Sequence, residues 1–217
     1  MKSMLVIGVG RFGRHLSIRL AELGNEVMVV DKDEDKVAHI APFVTTAEVA
    51  DCQDEEVLKA LGVTNFDVCF VCVSADFQSS LEITMMLKEL GAKYIVAKTD
   101  REKQGKFLEK IGADEVVHAE KQIAQRLAMR YSVKNLFDYI ELSQDYAILE
   151  IKVPRDWVGH SIRDLEVRTR FHVNVLGYKN EDKRLIPVLK ADHVFQADEH
   201  LLIAGLTSDM ARLTARG

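Results

Sequence analysis

The stretch LVIGVGRFGRHL, residues 5–16, runs an aliphatic strand into three glycines and out into a basic, helix-forming segment. Gly8-Val9-Gly10-Arg11-Phe12-Gly13 fits G-x-G-x-x-G in the context that gives the pattern meaning, directly after a first strand and at the opening of a first helix. Each glycine has a mechanical reason: Gly8 permits the tight turn, Gly10 lets a phosphate approach the backbone, and Gly13 lets helix and strand pack closely. The helix N-terminus then presents free N–H groups and a positive dipole end to an anion. Asp31 follows Gly13 by 18 residues, at the end of a second strand, where a carboxylate accepts hydrogen bonds from an adenosine ribose. The same carboxylate repels a 2′-phosphate, which disfavours NADP, and Lys32 beside it is offset by Asp33.

The rest of the first two-thirds alternates as a parallel α/β sheet does. Strands are expected at 4–9, 26–31, 43–50, 66–73, 93–98 and 115–118, with helices at 12–23, 33–40, 54–61, 77–90 and 102–111 between them. Leu81, Met85 and Leu87 are read as the inward face of the fourth helix. Six strands match the count of a Rossmann-type, doubly wound parallel sheet. Beyond a further helix at 120–131, residues 135–148 are mixed and polar, as a connector would be. Short strands then follow at 147–153, 174–179, 184–188 and 200–205, with helices at 161–167 and 208–216. The expected organisation is a nucleotide-binding domain, 1–138, and a smaller α+β domain, 139–217. A second domain this small implies packing against a partner copy.

Composition narrows the function classes. A net charge of −5 and a pI near 5.8 do not favour nucleic acid or an anionic membrane surface. There is no apolar run of 18 residues and no signal-peptide pattern, so a cytoplasmic location is expected. Cys69 and Cys72 form a C-x-x-C inside an apolar strand, where residues three apart point to opposite faces; they read as inert buried thiols. A dehydrogenase needs an acid/base group beside its nicotinamide. His160, His172, His193 and His200 are scattered, without nucleophile or metal-ligand spacing. A nucleotide-binding regulator fits better than an enzyme, the alternative being a small NAD-dependent redox sensor or oxidoreductase.

Other candidate residues gather at the carboxyl edge of the expected sheet. Asp51, with Cys52 beside it, stands past the third strand, where it meets the adenine or ribose edge or, as naturally, caps the next helix. Ser74, Ala75 and Gln78, within SADFQSS, follow the fourth strand. Lys98 ends the fifth, within reach of a phosphate or simply exposed.

GVGRFG with Asp31, VSADFQSS, the KTD after the fifth strand and LEKIGADEVVHAEKQIAQRLA (108–128) together resemble the regulator of K⁺ conductance (RCK) family, in its Ktr/Trk branch. The later IRDLEVRTRFHVNVLGY is similar to that family's C-terminal domain, so the likeness covers nearly the whole chain. The resemblance implies ATP or ADP as ligand, with NAD or NADH in some members. It also implies a dimer that assembles into an octameric ring beneath a membrane potassium-translocating subunit of the KtrB/TrkH type. By it, Arg11 reaches the terminal phosphate of a neighbouring subunit's nucleotide, and Glu120 helps hold Mg²⁺ or Ca²⁺ where nucleotides meet. Ile162, Val167, Arg168, Asn174 and Pro187 match positions that in some relatives bind cyclic di-AMP. The stretch Ala50-Asp51-Cys52-Gln53-Asp54 departs from the G-D-A-T of the Trk branch, which bears on the adenine contact.

Overall fold

The computed structural model describes residues 1–73, 76–133, 135–143, 145–180, 182, 184–187 and 190–214. The chain divides into two compact units, Met1–Lys121 and Gln122–Gly217.

In the first unit, strands and helices alternate: β1 (Ser3–Ile7), α1 (Arg11–Glu22), β2 (Glu26–Asp31), α2 (Glu34–Ile40), β3 (Thr46–Val49), α3 (Glu55–Leu61), β4 (Val68–Val71), α4 (Phe77–Glu89), β5 (Ile95–Lys98), α5 (Glu102–Ile111) and β6 (Glu115–Val117). The strands form one parallel sheet in the order β3-β2-β1-β4-β5-β6. This is the doubly wound Rossmann order, with its switch point between the adjacent strands β1 and β4. Both faces of the sheet are covered, so the central strands β1 and β4 read as near-continuous apolar runs, while the edge strand β3 is partly exposed. On one face Leu5, Ile7, Cys69, Val71 and Ile95 meet Leu58 of α3, Ile83 and Leu87 of α4, and Leu108 of α5. On the other, Met4, Val6, Val27 and Val29 meet Ile40 of α2 and the half-buried Phe12 and Leu16 of α1. Cys69 and Cys72 fall into these two different cores, as their spacing requires.

Helix α6 (Ala119–Ser132) carries the chain across the division, and none of its described residues is buried. The second unit continues with β7 (Leu136–Ser143), β8 (Tyr146–Lys152), α7 (Ile162–Leu165), α8 (Val167–Phe171), β9 (Val173–Lys179), β10 (Leu185–Pro187), β11 (His200–Leu206) and α9 (Thr207–Thr214). Its antiparallel sheet has the order β10-β9-β11-β8-β7. Trp157 and Phe195, both fully buried, anchor a core with Ile151, Leu201, Ile203 and Met210.

Four local readings of the sequence change. The polar stretch 135–148 is no connector: it holds β7, an edge strand paired antiparallel with β8. The expected boundary at 138/139 therefore falls inside a strand, whereas the compact units part after Lys121. The helix expected at 161–167 is two short ones, because Glu166 takes a left-handed φ of 48° between them. Met85 is 44% exposed, and the inward face of α4 is Ser79, Ser80, Ile83, Thr84 and Leu87. Val188 and Arg216, at the ends of two expected elements, lie outside the described residues.

Candidate functional site

The glycine turn has the mechanical form its sequence implies. Gly8 has a φ of +95°, and a Cβ there would stand 3.0 Å from Val73. A Cβ on Gly13 would lie 2.0 Å from the Gly8 carbonyl oxygen, so helix and strand touch through backbone alone. Gly10 is different: among the described residues a Cβ there meets nothing within 4 Å, and none gives the start of α1 a side-chain capping hydrogen bond. Space and uncapped helix N–H groups thus coincide at one point, which is the form of a phosphate cradle.

Asp31 stands beside that cradle and ties two loops to it. One carboxylate oxygen accepts from the Val9 N–H at 2.6 Å, the other from the Asp33 N–H at 2.9 Å. Each oxygen keeps a lone pair for a further donor such as a ribose hydroxyl. Asp33 caps α2 by accepting from the Lys36 N–H and also holds the Lys36 ammonium at 3.0 Å. The hydrogen bond to Asp33 lifts the Lys36 pKa above the ordinary lysine value, with help from Asp31; the Asp33 pKa is lowered by the same contact.

Gly10, Asp31 and Lys36 share one pocket of about 240 Å³ at the carboxyl edge of β1, β2 and β4. Gly8, Gly10, Asp31, Lys32 and Lys36 line one side; Asp51, Cys52 and Gln53 line another; Asp76, Ser79 and Ile83 come from the start of α4. Asp76 caps α4 by accepting from the Gln78 N–H and from the Ser79 hydroxyl at 2.5 Å, and the Ser79 bond lowers its pKa. Asp51 does not cap α3, a role Asp54 takes; its carboxylate accepts instead from the Gln53 N–H at 3.0 Å, shaping the loop. Burial pushes the Cys52 and Cys72 thiols up to about 12, so both stay protonated and inert at neutral pH.

The pocket thus gathers Gly8, Gly10, Asp31, Lys32, Asp51 and Cys52. Gly13 supports it from behind. Arg11 is exposed at the first turn of α1, away from the pocket wall, and Phe12 lies on the other face of the sheet. Ser74 and Ala75 lie outside the described residues. Gln78 points to Glu82, whose carboxylate takes its amide at 2.8 Å. Lys98 is not an exposed strand-end lysine: its side chain is 5% exposed, paired with Asp100 at 2.6 Å and Glu120 at 3.0 Å. Burial works against its charge, but the two carboxylates prevail and hold its pKa above the ordinary value. Glu120 is therefore engaged by a lysine, and among the described residues no three His, Cys, Asp or Glu side chains gather as a metal needs. Lys36, Gln53, Asp76, Ser79 and Ile83 are among the pocket residues that motif reading passes over.

In the second unit, Val167 is 2% exposed and part of the core, so within this chain it is no open wall for a ligand. Ile162 packs on that core, Arg168 and Pro187 are exposed, and Asn174 is half-buried on β9. His200 donates from its Nδ1 to the Glu150 carboxylate at 3.1 Å and stacks on Phe137, while His193 pairs with Glu199 at 3.1 Å and stacks on Tyr178. Both histidines are structural partners of buried carboxylates.

Residues 4–119 match the TrkA-N domain and residues 147–216 the TrkA-C domain. The chain is 37% identical over 215 residues to the Ktr system potassium uptake protein C of Bacillus subtilis (strain 168), covering 99% of this chain and 97% of that one. It is 35% identical over 216 residues to Ktr system potassium uptake protein A of the same organism, covering 100% and 97%. The fold is similar to that of the GsuK channel bound to NAD, with a TM-score of 0.69 at 21% identity. That match covers 99% of this chain but 39% of the channel chain, so this chain spans well under half of that protein.

Proposed function

Because the chain belongs to the family built of TrkA-N and TrkA-C (RCK) domains that includes the Ktr potassium-uptake proteins, we propose that it is a cytoplasmic, nucleotide-binding regulatory subunit of a potassium transporter. The observation that carries the nucleotide is the junction of Gly10 and Asp31: an open, uncapped helix N-terminus beside a carboxylate with unspent lone pairs. A phosphate suits the first and a ribose the second. The ligand in this reading is ATP or ADP, and the function has no catalytic step.

Discrimination between the two nucleotides requires a group that meets the third phosphate. Arg11, exposed at the start of α1, is free of the pocket of its own chain and is assigned to the nucleotide of a neighbouring copy in a ring of subunits. A guanidinium stabilises the added γ-phosphate charge, and ADP leaves it without that partner. Glu120 is assigned to a divalent cation between nucleotides, which requires it to leave Lys98. The membrane partner is a potassium-translocating subunit, and an octamer is the proposed assembly. Moving a ring from one shape to the other nearly completely takes about 5.5 kcal/mol of differential binding. A cyclic dinucleotide site in the second unit and NAD(H) in the first are further proposals; the carboxylate of Asp31 suits the NAD ribose equally well.

Calorimetric titration with ATP, ADP, NAD and NADH, with and without Mg²⁺, alongside solution mass, tests the reading. ATP and ADP binding to an assembly larger than a dimer supports it. NADH preference in a dimer, with turnover of a substrate, replaces it with the redox alternative. In the Arg11→Ala protein the ATP-over-ADP preference is expected to vanish while ADP binding stays; equal loss of both removes the arginine from the mechanism.

A further inference from the structure

One wall of the pocket carries a hydrogen-bond relay that the nucleotide reading does not use. Gln53 lines the pocket next to Asp51 and Cys52, and its side-chain nitrogen donates to a Glu82 carboxylate oxygen at 3.0 Å. The second oxygen of Glu82 takes the Gln78 amide nitrogen at 2.8 Å, one turn back along α4. The Gln53 backbone N–H is meanwhile held by Asp51. Loop and helix are thus joined at the pocket rim through one carboxylate.

That carboxylate decides which way the Gln53 amide faces. An ionised carboxylate only accepts hydrogen bonds, so both amides must turn their NH₂ groups towards it. The hydrogen bonds from Gln78 and Gln53 in turn lower the Glu82 pKa and keep it ionised at neutral pH. One of the two Gln53 side-chain N–H donors is thereby spent, and the amide is fixed with its nitrogen towards Glu82 and its carbonyl oxygen turned away from it. At the rim of the pocket the Gln53 oxygen is therefore an acceptor that cannot exchange places with the amide nitrogen.

We infer that Gln53, oriented by Glu82, selects the base: its amide oxygen accepts from an exocyclic amino group, as on adenine, and opposes the carbonyl of hypoxanthine or guanine. The inference rests on the nucleotide reading above, in which the ribose lies at Asp31 and the base beyond it, towards Asp51, Gln53 and Ile83. Gln53 is then a specificity-determining residue and Glu82 a positioning residue that sets its polarity. A purine with oxygen at position 6 brings two acceptors face to face, which loses the bond and leaves a lone pair opposed.

The test is the ratio of ATP to ITP affinity, measured by calorimetry on the full chain. ITP differs from ATP at the 6-position and the adjoining N1 proton, so the ratio reads the base edge and not the phosphates. The unaltered protein is expected to prefer ATP by about tenfold or more. Glu82→Gln supplies an amide that can face either way, freeing Gln53 to turn its NH₂ to the base, and the preference is expected to fall below about threefold. Gln53→Met removes both poles at similar length and is expected to give the same collapse. The ATP-to-ADP ratio should stay unchanged in both variants, which a general loosening of the pocket would not ensure. An ATP-to-ITP ratio near one in the unaltered protein, or unchanged in both variants, overturns the inference and leaves the nucleotide reading standing. An unaltered protein that binds no adenine nucleotide overturns both.

Discussion

The two sheets treat charge in opposite ways. In the parallel sheet, polar groups collect at the carboxyl ends of the strands and keep capacity in hand: the uncapped turn at Gly10, the remaining lone pairs of Asp31, and the buried Ser80 hydroxyl, which has no hydrogen-bond partner among the described residues. In the antiparallel sheet, the buried carboxylates are saturated where they stand. Glu150, 8% exposed, is met by Lys179 and His200, and Glu199, 5% exposed, by His193 and the Gln196 N–H. Unspent hydrogen bonds at the surface of a pocket are available to a ligand, whereas a satisfied buried pair can only stabilise its own fold. The first unit is built to receive something, and the charges of the second to hold it together.

The largest way to break the contrast is to damage each unit's packing separately. Trp157→Ala removes a fully buried ring that stacks on Phe195 and leans on Phe171. The expected cost is about 3–5 kcal/mol. It should fall on the second unit, leaving nucleotide affinity of the first unchanged, as calorimetric unfolding and titration of one preparation can show. Gly13→Ala is the counterpart in the first unit. Its Cβ meets a backbone oxygen at 2.0 Å, and no rotamer relieves that, so about 3 kcal/mol of stability is expected to be lost. Gly10→Ala meets nothing and keeps an ordinary backbone φ of −67°, so its melting temperature should stay within error while phosphate binding falls. Equal thermal damage from both alanines would mean that Gly10 is a structural glycine and not a cradle.

A middle-sized effect sharpens the point. Asp31→Asn keeps one acceptor for the two loop N–H groups and should cost about 1 kcal/mol in stability. The same change substitutes an amide at the ribose and is expected to weaken ATP and ADP alike by tenfold or more. Glu150→Gln, by contrast, should shift stability of the second unit without touching nucleotide affinity. A reversal of that pattern would place ligand recognition in the second unit.

Much of the first unit could be read before any coordinates because its strands are continuous apolar runs separated by glycine-ended helices, and both signals are local. The fingerprint likewise depends on six consecutive residues and one strand length. What escaped reading depends on partners distant in sequence. Lys98 looks exposed until Glu120, 22 residues on, is brought to it by the parallel crossover. Glu82 reads as an ordinary helix-surface acid until the loop after β3 returns to it with Gln53. β7 was hidden for another reason: as an edge strand it leaves Ile140 and Leu142 exposed and alternates too weakly to show a period. Glu166 broke a helix by adopting a left-handed φ that a side chain other than glycine or asparagine does not advertise.

Acid provides the smallest test of the same contrast. The carboxylates of Asp33, Asp67 and Asp76 in the first unit have lowered pKa values. The chief causes are the Lys36 side chain, the Ser3 N–H and the Ser79 hydroxyl, respectively. In the second unit, Asp164 is lowered chiefly by the Ser161 hydroxyl and then by its backbone N–H, the two halves of the capping box that opens α7. A carboxylate whose folded pKa lies below its unfolded value contributes stability that is full above that unfolded value. The contribution is lost as pH falls through the folded one. The unfolded value for these aspartates is 3.8, so both units should be flat in this respect near neutrality and weaken from about pH 5 downwards. Asp164→Ala removes that contribution and should soften the acid limb of the second unit's melting curve, to which Asp138, where burial is outweighed by the Arg126 side chain, also contributes, while leaving the limb of the first unit in place. Asp33→Ala should remove part of the first unit's acid limb, Asp67 and Asp76 keeping the rest, and leave the second unit's in place. It also releases Lys36 from its cap, so its effect should extend to the nucleotide pocket, which Asp164→Ala leaves untouched. If the Asp33 variant altered acid stability but not nucleotide affinity, Lys36 would be a structural lysine and the open capacity of the first unit would be confined to Gly10 and Asp31.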